Sequence, residues 1–228
     1  MLVGVSIIFL DVDGTLIDSF PGIRAGFLHA LDSIGWPHPD EETIARIPGP
    51  PMEVTLRSLG MSEEQADDAF AAYLDHTHRG GWADATAFPG MLDLLRTWKE
   101  QGHTLCTATS KGEAFARRIL EREGMIDHLD FLGAAQENGP RRAKKDVIDH
   151  VLEQTGLSGR SSDILMVGDR SHDIEGAAHF GIDTVAVTWG YGTPEEWAAA
   201  RFTAHDPEEL EGIVHDWHAG VLGNPARD

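Results

Sequence analysis

The sequence predicts an α/β fold: a doubly wound parallel sheet with helices on both faces, broken once by an inserted helical segment. Three observations carry that prediction. Apolar runs without alternation recur at 5–10 (VSIIFL), 104–109 (TLCTAT), 164–168 (ILMVG) and 184–188 (TVAVT), with a weaker run at 131–135 (FLGAA). Runs of this kind are typical of strands buried on both faces of a parallel sheet. Helix-period segments with short connections lie between them, the alternation that builds strand–helix–strand units. From Asp18 to about Ala85, by contrast, only helical periods occur.

The first strand ends at Leu10 and the inserted segment follows almost at once. Ile23, Phe27, Leu31 and Ile34 form one apolar stripe, and Ala66, Phe70, Tyr73 and Leu74 another. Between them the prolines of RIPGPPMEV (46–54) forbid a continuous helix. The expected organisation is a core of residues 1–17 and 86–228 with a helical domain over 18–85. The chain returns to the core around Trp82–Pro89, where PGM opens a helix. In MLDLLRTWKEQG (91–102), Leu92, Leu95 and Trp98 share a face and a glycine closes the helix; KKDVIDHVLEQTG (144–156) places Val147, Ile148, Val151 and Leu152 likewise. Near the end, HDPEEL (205–210) has Asp206 as cap, Pro207 at the first helical position and Glu209 three after the cap. The last six residues are expected to fray.

Composition narrows the function classes. The chain has 228 residues, 41% hydrophobic, and a net charge of -20. That charge argues against nucleic acid or an anionic membrane as partner, because both select a basic footprint. The apolar opening MLVGVSIIFLD is too short to span a bilayer and lacks the basic flank and cleavage site of a secretory signal. A single cysteine, Cys106, excludes an internal disulfide and suits a reducing cytoplasm.

The chemistry collects where strands end. Asp11 and Asp13 terminate the first run and are followed by Gly14 and Thr15. In an open parallel sheet, ligands bind at the carboxyl ends of the strands. A calcium loop of the EF-hand type is excluded, because glycine stands at the fourth loop position and Gly22 replaces the final glutamate. The second run ends at Thr109, before Ser110, Lys111 and a helix, a combination suited to phosphoryl oxygens. Only four lysines occur, and Lys144 and Lys145 open a helix, where cations oppose the macrodipole unless an anion lies nearby. The fourth run leads into Asp169 and Asp173. Two carboxylates about 4 Å apart repel by roughly 4 kcal/mol at an effective dielectric near 20. Asp11, Asp13, Asp169 and Asp173 at one sheet edge therefore call for a compensating cation, and hard oxygen donors select Mg²⁺.

These features in this order resemble the haloacid dehalogenase superfamily. DVDGTLIDS resembles its first motif, Thr109 its second, Lys144 its third and GDRSHD its fourth. The helical insert, IPGPPM (47–52), TSK and WGYG (189–192) resemble the phosphoglycolate-phosphatase-like branch. The resemblance implies a Rossmann-like core with an inserted helical cap. It also implies that Asp11 is the nucleophile forming an aspartyl-phosphate, Asp13 the general acid and base, and Lys144 the charge neutraliser. Asp11, the Asp13 carbonyl, Asp169 and, in support, Asp173 would hold Mg²⁺. Thr109, with amides near Asp13, Gly14 and Ser110, would hold phosphate oxygens; Thr15 and Lys111 complete the expected substrate contacts. The partner expected is a small phosphorylated metabolite, phosphoglycolate first, with nucleoside monophosphates, pyrophosphate, phosphotyrosine or a sugar phosphomutase reaction as alternatives. Asp13 argues against dehalogenation. A cap without lysine argues against phosphonatase chemistry, while Arg24, Arg46, Arg57 and Arg79 offer cations for a substrate carboxylate or a second phosphate. Arg170 is expected near the site rim and His172 in a structural role.

Overall fold

The computed structural model describes residues 6–137 and 139–222. Val5 of the first run and the expected frayed end lie outside the described residues. The strands are β1 (Ile7–Leu10), β2 (Ile17–Asp18), β3 (Thr86–Ala87), β4 (Thr104–Gly112), β5 (Phe131–Ala135), β6 (Ile164–Gly168), β7 (Asp183–Val187) and β8 (Phe202–Ala204). The helices are α1 (Phe20–Ser33), α2 (Glu41–Ala45), α3 (Met52–Ser58), α4 (Glu63–His78), α5 (Met91–Glu100), α6 (Glu113–Arg122), α7 (Lys144–Thr155), α8 (Ser171–Ala178), α9 (Pro194–Trp197) and α10 (Pro207–His218).

Six strands form one parallel sheet in the order β5-β4-β1-β6-β7-β8. Period-two geometry divides the apolar runs between its faces. Ile8, Leu10, Leu165 and Val167 pack with Leu95 and Trp98 of α5 and Trp217 of α10 on one face. Ile7, Phe9, Cys106 and Met166 pack with Val147, Ile148 and Val151 of α7 and Ala177 of α8 on the other. Both faces are covered, which is why the strands carry no polar alternation. Helices α1–α4 gather a third cluster around Phe27, Leu31, Ile44 and Leu56.

Several details depart from the sequence reading. The β2–β3 antiparallel pair, Ile17 opposite Ala87, joins the two ends of the insertion and is not read, because two residues per strand leave no period to detect. The edge strand β8 is equally short. On α5 the buried face includes Leu94, with Leu92 only partly buried. On α4, Ala66 and Ala69 are buried while Phe70, Tyr73 and Leu74 stay partly accessible. Strand β4 runs past Thr109 to Gly112, with an irregular register against β5, and α6 starts only at Glu113. Asp206 accepts from the Glu209 amide as expected, but the Glu209 carboxylate reaches the amide of His205 rather than that of the cap.

Candidate active site

The strand order places the carboxyl ends of β4, β1 and β6 side by side, so the residues that follow them meet. Asp11 leaves β1 with its amide bonded to the Val167 carbonyl of β6. Asp169 follows β6, and Asp173 lies in the first turn of α8. Carboxylate oxygens of Asp11, Asp169 and Asp173 all lie within 4.8 Å of one another, and all three residues are buried. Lys144, the first residue of α7, is also buried, with Nζ 2.9 Å from Asp11 Oδ1 and 2.6 Å from Asp173 Oδ1. Its hydrogen bond goes to the Ala108 carbonyl at 2.7 Å, and neither carboxylate oxygen is aligned to receive one. The neighbouring Lys145 is exposed. Of the two lysines that open α7, Lys144 therefore lies against anions.

Electrostatics follows from burial. Burial pushes the Asp11 carboxyl up to about 6, Lys144 draws it back down, and Asp173 adds to the rise. Burial, then Asp173 and Asp11, raises Asp169 well above the ordinary carboxylate range. Burial works against the Lys144 ammonium, but Asp11 and Asp173 outweigh it and hold its pKa above the usual lysine value. Three carboxylates against one ammonium leave two negative charges when all are ionised, the charge of one divalent cation. Oδ1 of Asp169 has no polar partner, and Oδ1 of Asp11 and of Asp173 have only the shared Lys144 ammonium. Buried acceptors of this kind are costly unless something else satisfies them. The donor set is all oxygen and fits Mg²⁺.

The backbone permits this crowding only at glycines. Gly14 has φ +80°, and a Cβ there would collide with the Asp169 carboxylate. A Cβ on Gly190 would strike the same carboxylate and the Gly14 carbonyl. Between them, Asp169 Oδ2 accepts from the Tyr191 amide at 2.6 Å, and the Trp197 indole donates to the Asp169 carbonyl at 2.9 Å. The Tyr191 hydroxyl bonds Asp18 Oδ1 at 2.9 Å and accepts from the amides of Ser19 and Phe20, so WGYG braces both the Asp169 loop and the start of the insertion.

A cavity of about 90 Å³ opens onto Asp11 and Asp13. Thr109, Ser110 and Lys111 line it from the core, and the loop from Ile47 to Met52 with α4 lines it from the insertion. The Asp13 carboxylate stands apart from the buried acid cluster: it pairs with Lys111 Nζ at 2.9 Å, which leaves its carbonyl as the expected metal donor. Three further residues sit as follows. The Gly14 amide donates to the Ile17 carbonyl at 2.9 Å and is spent within its own turn. Gly14 and Thr15 do not line the cavity; Thr15 is wholly buried with an unpartnered hydroxyl. Arg170 does not itself line the cavity: it is 8% exposed, pairs with Glu196 at 3.1 Å and donates to the carbonyl of Pro48, which does line it. His172 is half-buried and held below the usual imidazole range by burial and by Arg170.

The insertion's arginines also sit elsewhere. Arg24, Arg46, Arg57 and Arg79 pair with Glu41, Glu42, Asp67 and Asp75, and none lines the cavity. The sequence reading missed Arg142, which lines it, and Glu53, which holds Arg142. It also missed Phe115 and Glu137. The stripe of α4 was the available signal: Phe70, Tyr73 and Leu74 look toward the cavity as well as the helical core.

Comparisons with known proteins agree with this fold. A family model for haloacid dehalogenase-like hydrolases matches residues 7–187. The chain is 45% identical over 186 residues to the tyrosine-protein kinase PtkA of Mycobacterium tuberculosis, covering 82% of this chain and 63% of that protein. It thus spans less than two thirds of that relative's length. It is 32% identical over 201 residues to a 5'-nucleotidase of Pseudomonas aeruginosa, covering 88% of each. Among solved structures, a predicted phosphatase from Clostridium acetobutylicum superposes with a TM-score of 0.88 at 28% identity, over 93% of this chain and 100% of that one.

Proposed function

The chain belongs to the haloacid dehalogenase-like hydrolases, and on that premise we propose that it is a Mg²⁺-dependent phosphatase of small phosphate monoesters. The observation that carries this reading is the buried acid cluster. It would carry two more negative charges than positive ones when all its groups are ionised, and it includes one carboxylate, Asp11, that also opens onto the cavity. Asp11, the Asp13 carbonyl and Asp169 would hold Mg²⁺, with Asp173 in support. Bound there, the ion supplies positive charge to the acids and to phosphate oxygens.

The chain's own residues do the rest. Asp11 attacks phosphorus and forms an acyl phosphate as the ester P–O bond breaks. Asp13 gives the departing oxygen its proton, then takes one from the water that hydrolyses the acyl phosphate. Lys111, 2.9 Å from Asp13, orients that carboxylate. Thr109 and Ser110 hold phosphoryl oxygens, and Lys144 neutralises charge on Asp11 as it reacts. Helices α1–α4 act as the cap and exclude water from the chamber.

Transfer from Asp11 to a tyrosine hydroxyl instead of water is the second reading, favoured by identity to the mycobacterial relative. The cap arginines offered for a substrate carboxylate or a second phosphate lie outside the cavity. Phosphoglycolate therefore rests on the motif resemblance and on relatives such as the phosphoglycolate phosphatase of Aliivibrio fischeri, 28% identical over 204 residues. The sugar phosphomutase reading keeps no residue in its favour. The test is inorganic phosphate release from a panel of phosphate esters with and without Mg²⁺. Release that requires Mg²⁺ supports the phosphatase. Phosphorylated tyrosine without phosphate release would favour the second reading, and no turnover with either acceptor would overturn both.

A further inference from the structure

The chamber holds two cations, and each is already committed to a carboxylate of the chain. Lys111 faces Asp13. Arg142 grips Glu53 in a bidentate pair, Nε to Oε1 at 2.7 Å and the terminal nitrogen to Oε2 at 2.8 Å, and spends a further donor on the Gln136 carbonyl. The Arg142–Glu53 pair joins the loop before α7 to α3 of the cap, and both side chains are largely shielded from water. Parallel two-point pairing is the strongest way a carboxylate can occupy a guanidinium. Glu137, the other charged side chain of this wall, is an anion with an unpartnered oxygen. Beyond Asp11, the rest of the lining carries no charge: Ile23, Ile47, Met52, Phe70, Leu74 and Phe115 are apolar, and Tyr73, Thr77, Thr109 and Ser110 add only neutral hydroxyls.

We propose that this site selects phosphate monoesters with an uncharged, apolar leaving group, and that Glu53 determines the selection by withholding Arg142 from anionic substrates. The inference rests on the phosphatase reading and sharpens it. A substrate carboxylate entering this wall would lose its water, meet Glu137, and find no cation free to replace the solvation. An alkyl or aryl group loses nothing polar there and gains burial against the apolar lining.

The test compares propyl phosphate with phosphoglycolate, which are similar in size and differ in the carboxylate. In the wild-type enzyme with Mg²⁺, kcat/KM for propyl phosphate should exceed that for phosphoglycolate by about tenfold or more, the worth of one charge-assisted contact. Glu53→Gln should narrow or reverse that ratio through a lower KM for phosphoglycolate. Adding Arg142→Gln to Glu53→Gln should remove the gain. A wild-type enzyme that prefers phosphoglycolate would overturn the inference. So would an unchanged ratio in a Glu53→Gln protein that melts cooperatively. The wild-type comparison stands by itself if the variants do not fold. Failure to release phosphate from any ester would instead sink the phosphatase reading, a separate outcome.

Discussion

The acid cluster beneath the chamber and the chamber's own wall are built in opposite ways. The cluster collects three carboxylates and a lysine from the ends of neighbouring strands and two helix N-termini, buried and under-compensated. The wall collects side chains from the insertion and the core, and there each cation already has an anion. The first region is electrostatically incomplete, so it is built to take something of opposite charge. In the second every cation is already taken, so it discriminates by shape and by what it refuses. Reactivity and selectivity occupy separate layers.

The comparison can be broken at several points. The largest effect belongs to Asp11→Asn: turnover should fall by at least about 10³, because an amide oxygen is a poor nucleophile. Normal turnover in that variant would remove the covalent route. Lys144→Met comes next. It strips the only ammonium from between Asp11 and Asp173, and loss of one partner from a buried ionic cluster costs about 3–5 kcal/mol. Chemical denaturation in the absence of Mg²⁺ should show that loss, and an unshifted midpoint would mean the carboxylates already carry protons.

Asp169→Ala should raise the half-saturating Mg²⁺ concentration by about tenfold or more. A normal metal titration would take Asp169 out of the ligand set. Arg170→Ala removes the tie between the Asp169 loop, Glu196 and the Pro48 carbonyl of the cap. It should cost about 1–3 kcal/mol and raise KM several-fold with a smaller change in kcat. A fall in kcat alone would place Arg170 in the chemistry instead. Smallest of all is Arg24→Ala, which breaks a surface pair with Glu41 outside the cavity lining. Stability should move by no more than about 0.5 kcal/mol and kcat/KM should not move. A clear loss of kcat/KM there would show that the cap's outer face reaches the substrate.

What could be read in advance follows the range of the interactions. Five sheet strands were visible as unalternating apolar runs, β5 the weakest, because burial on both faces imprints such strands. The short pairs β2–β3 and β8 left no period to read. The α4 stripe was legible as apolar but not assignable, since a residue turned toward a chamber and one turned toward a core obey the same spacing.

Sequence alone determined which residues stand at strand ends: Asp11 after β1, Thr109 near the end of β4 and Asp169 after β6 all follow from local propensity and turn chemistry. Tertiary structure decided their partners. Arg142 and Glu53 are 89 positions apart, Arg170 and Pro48 are 122 apart, and nothing in either neighbourhood marks the other. An ion pair depends on two side chains reaching one point in space, and only the packing of the cap against the sheet sets that point.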